Sequence, residues 1–115
     1  MSPHRKASFP ALTSIQVVRW TGAHPPSEQE AEARLHQEGY SVFKWHDVPG
    51  AEYPEHHHHC DECLWILAGS ITVSFEGQSH TLNPGDRLLL PKDVDHKAIV
   101  PADPSGVTYL VGQRS

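Results

Sequence analysis

Four consecutive histidines, His56, His57, His58 and His59, are followed by a carboxylate at Glu62, which concentrates metal-binding side chains in one short stretch. His56 and His58 are two residues apart, so an extended strand places them on the same face. Glu62 has the same parity, and a short turn at Cys60-Asp61 brings it back beside them. Imidazole nitrogens with a carboxylate oxygen form a donor set suited to iron, manganese, nickel, zinc, cobalt or copper. Turned inward without partners, such groups cost roughly 2–7 kcal/mol each, a cost that a divalent ion removes. Two other readings compete. One is a solvated polar loop that holds no metal. The other is a structural zinc site combining His57 or His59 with Cys60 and Cys63, but it lacks a second ligand pair at suitable spacing. Cys63 opens an apolar strand and reads better as a small buried hydrophobe, and Cys60 as a turn residue. An expression tag would sit at a terminus, and this run lies mid-chain.

The elements around this stretch are mostly β. Residues 1–14 lack sustained periodicity and are expected to be a loosely docked arm, with the domain proper over 15–115. Ile15 to Trp20 reads as a strand by its β-branched and aromatic content. Ser27 and Glu30 form a capping box ahead of Ala31, Ala33 and Leu35, which predicts a short helix ending at Gly39 with a thin apolar face. From Tyr40 onward the pattern is short strands separated by turn signals. They are Tyr40 to His46, Leu64 to Ala68, Ile71 to Phe75, His80 to Leu82, Leu88 to Leu90, His96 to Val100 and Val107 to Val111. Seven or eight such strands indicate an antiparallel sandwich or barrel. Both faces of the strand at Leu64–Ala68 are apolar. One meets the core, and the other needs cover from the N-terminal segment or from a second subunit, which makes a homodimer an expectation.

At 115 residues the chain is long enough for one core without covalent staples. Its formal charge of −5, from 14 acidic and 9 basic residues, offers no basic field for nucleic acid or anionic lipid. No apolar run follows the basic residues near the N-terminus, so neither a secretion signal nor a membrane span is read, and a cytoplasmic location is expected. Two cysteines are too few for a disulfide framework. His80 reads as a surface residue of a polar strand, the three tryptophans as core or interface, and Tyr53, Glu55 and Arg87 as residues that spacing alone does not place.

The spacing of the histidine stretch resembles the first motif of the cupin family. Gly50, His56, His58, Glu62 and Gly69 stand at its positions, with five, one, three and six residues between them. Downstream, Gly85, Pro91 and His96 match most of the second motif, while Asp93 stands where that motif has glycine and Val100 where it has asparagine. Asp tolerates a left-handed turn better than most residues, so the turn can survive the first change. The resemblance covers about residues 40–112. It implies an all-β double-stranded β-helix, the jelly-roll or cupin barrel, with a short N-terminal helix added here. It also implies His56, His58, Glu62 and His96 as ligands of a divalent transition metal. The register using His57 and His59 misfits the motif at both ends, so those two are expected to face outward.

Such a metal, if six-coordinate, retains open positions, the mark of a catalytic site. The resemblance implies a range of functions. The reading adopted is a metal-dependent oxidoreductase of dioxygenase type acting on a small oxygen-rich molecule. The alternatives are a non-catalytic sensor module binding metal and a small molecule, and an isomerase or decarboxylase using the metal as a Lewis acid. Fold does not choose among them.

Overall fold

The computed structural model describes residues 9–102 and 105–115, so most of the expected arm and part of the Pro101–Gly106 loop lie outside the described residues. One helix and nine strands are found among them: β1 (Gln16–Val18), α1 (Glu28–Gln37), β2 (Ser41–Asp47), β3 (Glu52–His56), β4 (Asp61–Gly69), β5 (Ile71–Phe75), β6 (Gln78–Leu82), β7 (Arg87–Leu90), β8 (His96–Ile99) and β9 (Val107–Arg114). The strands form two antiparallel sheets rather than a closed ring. The order is β1-β7-β4-β9-β2 in the first sheet and β3-β8-β5-β6 in the second.

Alternation sorts the side chains of the first sheet. On β4, Ile66 joins the main core with Ile71, Val73, Leu82, Leu88 and Tyr109, and Leu64 packs against it. The opposite parity sends Cys63 and Trp65 to a second core with Ala31, Leu35, Tyr40 and Leu110. The second apolar face of β4 is therefore covered by α1 of the same chain, which meets the need that had suggested a second subunit. The helix starts as its capping box requires: Ser27 adopts an extended conformation and its side chain accepts from the Glu30 N–H. It ends at Gly39, whose φ of 89° closes the turn at little cost for a residue without Cβ. The N-terminal segment is tied down where it is described. The Leu12 N–H donates to Asp61 at 2.8 Å, and the guanidinium of Arg114 lies over the Phe9 ring.

Turns set the ends of the strands. The second-motif residue Asp93 has φ 64°, the left-handed conformation expected of it, and its N–H donates to the His58 carbonyl at 2.8 Å. This bond joins the two motif loops directly. No helix among the described residues is long and apolar enough to cross a membrane.

Candidate metal centre

His56 ends β3 beyond a bulge that shifts the register between Tyr53 and His56, and its Cα partner on β8 is His96. The two rings meet across the pair with centroids 4.3 Å apart. His58 follows β3 in the connection to β4, with its ring centroid 4.9 Å from that of His56 and 5.4 Å from that of His96. One potential ligand atom from each of the three lies within 4.8 Å of the others. Ligands bonded to a first-row ion at about 2.0–2.2 Å span at most about 4.4 Å, so small ring rotations close the set.

The tautomers suit a metal. His56 Nδ1 lies 2.7 Å from the Pro54 carbonyl and His96 Nδ1 lies 3.0 Å from the Val94 carbonyl. A carbonyl only accepts, so both Nδ1 atoms carry a proton, and the lone pair of each ring's neutral form sits on Nε2. This is the outer support that orients ligating histidines. Burial pushes the His96 imidazole below its ordinary pKa; the Val94 carbonyl opposes this, and the neighbouring rings of His56 and His58 add to it. His96 therefore stays neutral to lower pH than an exposed histidine.

Glu62 is buried at the start of β4, on the inward side. One carboxylate oxygen faces His58 Nε2 at 3.6 Å, and the other accepts from Gln113 Nε2 at 2.7 Å. All four expected residues are thus gathered at one place, with the three imidazoles as the tight group and Glu62 at its side. His57 and His59 face outward and are exposed. Their Nδ1 atoms lie 3.0 Å from Asp95 and 3.2 Å from Asp93.

The site opens on a cavity of about 270 Å3 between the sheets, whose lining includes His56, His58, Glu62, His96 and Gln113. Tyr53 lines it as well, whereas Glu55 is exposed on β3 and Arg87 projects from the opposite face of the first sheet. There the Arg87 guanidinium pairs with Glu38 at 2.5 Å, lies over the Trp65 ring and donates to the Cys63 sulfur. Cys63 is fully buried beside the helix, and burial pushes its thiol up despite Arg87. Neither cysteine joins a metal-competent group among the described residues, so the zinc reading loses its ligands. His80 is a correction. It is half-buried rather than exposed: its ring stacks on Phe75 with centroids 4.8 Å apart, and its Nε2 is buried with no hydrogen-bond partner among the described residues.

Two residues of the site escaped the reading of the sequence. Gln113 was discoverable, because it shares parity with the inward Tyr109 and Val111 on a strand that runs further than its apolar part. Asp47 was not, because its partners Tyr53 and Tyr109 come from other strands.

The Cupin_2 family, described as a cupin domain, matches residues 43–111. The chain belongs to the cupin family. Among curated proteins this cupin is 38% identical over 50 residues to Protein SchB of Streptomyces halstedii; the match spans 43% of this chain and 36% of that protein. Among solved structures it resembles the DMSP lyase DddQ from Ruegeria pomeroyi, with a TM-score of 0.59 and 30% identity over 66% of this chain and 38% of that one. It also resembles KdgF from Halomonas sp., with a TM-score of 0.55 and 26% identity over 66% of this chain and 71% of that one. Within the cupin frame the two departures from the second motif are benign locally. Asp93 keeps the glycine-like φ, and Val100 is buried in the main core.

Proposed function

We propose that this cupin is a metal-dependent enzyme, an oxidoreductase of dioxygenase type, with His56, His58, Glu62 and His96 as the ligands. The observation that carries this reading is the convergence of three imidazoles and a buried carboxylate on one open cavity. A divalent transition ion held there by these four residues would supply a Lewis-acidic centre able to polarise substrate oxygens or to engage dioxygen. The backbone carbonyls of Pro54 and Val94 orient two of the imidazoles, Gln113 holds the carboxylate, and the remaining lining of the cavity is mostly apolar. A second reading is lyase or isomerase chemistry without oxygen. The likeness to the DMSP lyase DddQ favours it.

Metal content and oxygen consumption test both. Untagged protein is expected to retain one transition ion per chain. His58→Ala should lower the metal affinity at least 10–100-fold, the loss seen even for outer-shell partners, while His57→Ala leaves stoichiometric loading unchanged. Protein free of transition metal, or the reverse behaviour of these two variants, would refute the metal centre. Turnover that continues without oxygen would select the second reading over the first.

A further inference from the structure

One residue that does not line the cavity engages the polar atoms of three aromatic side chains that do. Asp47 ends β2 and is buried. It accepts three hydrogen bonds from aromatic side chains: Trp45 Nε1 at 2.9 Å, the Tyr53 hydroxyl at 2.5 Å and the Tyr109 hydroxyl at 2.7 Å. All three of these side chains line the cavity, and Asp47 is not among its lining residues. The polar atoms of the aromatic wall are therefore spent on a carboxylate outside the cavity, and what faces inward is ring carbon. Leu64, Ile71, Val73, Ala98 and Val111 complete the apolar lining. The polar lining groups form one connected patch, with the histidines meeting Glu62 and Glu62 meeting Gln113. Phe43 and Trp45 pack edge to face with centroids 6.4 Å apart, yet remain 43% and 49% exposed on the outermost strand of their sheet. Two aromatic rings left open to solvent at a cavity mark a binding surface more than a folding core.

We infer that the substrate of this site has a flat apolar body, aromatic or conjugated, with its oxygen donors confined to one chelating end. The body lies against Phe43, Trp45 and Tyr53 while the donors reach the histidine patch. A polyhydroxylated molecule of the same size would bury hydroxyl groups against ring carbon with no partner, and that desolvation is not recovered. The inference rests on the metal reading of the histidine cluster and narrows its substrate class.

A matched series of α-hydroxy acids separates the two ideas. Mandelate, lactate and gluconate share one chelating end and differ in body: a phenyl ring, a methyl group and a polyhydroxylated chain. Binding to zinc-loaded protein is measured by calorimetry and by tryptophan fluorescence. Mandelate is expected to bind at least tenfold more tightly than lactate, with gluconate no tighter than lactate. Trp45→Ala should reduce the mandelate-to-lactate ratio at least threefold, and Phe43→Ala provides a second variant at another exposed position. Gluconate binding as tightly as mandelate, or a ratio unmoved in both variants, would overturn the inference and leave the metal centre standing. If the protein takes up no metal, the proposed function fails, and benzyl alcohol against glycerol then decides the wall alone. A preference for benzyl alcohol that Trp45→Ala removes supports the apolar body, and no preference overturns it.

Discussion

Replacing Asp47 with alanine removes the common acceptor of three hydrogen bonds, and the structure sets how the cost divides. Tyr109 is buried, so its hydroxyl has no water to turn to once Asp47 is gone. An orphaned buried polar group costs about 1–3 kcal/mol. Trp45 is half exposed and Tyr53 is partly exposed, so each can recover a bond to solvent and loses about 0.5–1 kcal/mol. Asp47→Ala should therefore destabilise the fold by about 2–5 kcal/mol, a large part of the 5–15 kcal/mol typical of a domain. Tyr109→Phe alone leaves Asp47 with two donors and should cost about 1–2 kcal/mol. In the double variant the stranded hydroxyl no longer exists, so the combined loss should fall short of the sum by about 1.5 kcal/mol. Urea unfolding of the four proteins measures this coupling directly. With a slope of about 1–3 kcal/mol/M, the single Asp47→Ala variant should unfold at a midpoint lower by at least about 0.7 M. Burial first, then the Asp47 carboxylate, pushes the Tyr109 hydroxyl above its ordinary pKa. Tyrosinate absorbance should therefore appear at lower pH in Asp47→Ala. Losses that add within about 0.5 kcal/mol would show that the three bonds do not form one unit, and the account of the cavity wall would fall with them.

Asp86 offers a pH test. Its burial alone would raise the pKa, but the N–H groups of Asn83 and Trp20 and the Arg19 guanidinium outweigh it and hold the carboxyl below its ordinary value. A folded-state pKa below the unfolded one adds stability that is full above about pH 4 and lost as pH falls through the folded value. Asp86→Asn should thus cost about 1–3 kcal/mol at neutral pH, with the gap to wild type closing in urea unfolding as pH falls below about 4; a gap independent of pH would refute this. Gly69 and Gly77 both have φ 75°, but a Cβ at Gly69 would strike the Gly106 carbonyl oxygen, whereas one at Gly77 meets nothing within 4 Å among the described residues. Gly77→Ala should cost about 1 kcal/mol and Gly69→Ala more than about 3 kcal/mol in thermal unfolding, and equal costs would contradict the close approach of those two loops.

The histidine stretch shows how alternation becomes chemistry. Consecutive residues of an extended chain face opposite ways, so one run of four provides two of the three inward rings and two exposed ones. The outward pair meets Asp93 and Asp95, which belong to the same loop that supplies His96. Inner and outer contacts therefore pull the same two loops together, along with the backbone bond from Asp93 to His58.

Several features were legible in the sequence alone because their causes are local. Ser27 with Glu30 announces the helix start, Gly39 its end, and the parity of Trp65 against Ile66 announces that β4 is covered on both faces. The motif spacing likewise marked His56, His58, Glu62 and His96, which the fold gathers at one place. Other features depend on partners far along the chain. That the second face of β4 is covered by α1 follows from how Ala31 and Leu35 dock on Trp65 and Leu110. His80 reads as polar and exposed until the pairing of β5 with β6 sets it beside Phe75. The character of the cavity was hidden for the same reason. The composition includes tyrosines and a tryptophan with polar atoms to offer a substrate, and only the tertiary structure brings one aspartate to where it engages three of them. A single sequence records which groups can form hydrogen bonds; which bonds form is decided by the packing that brings strands together.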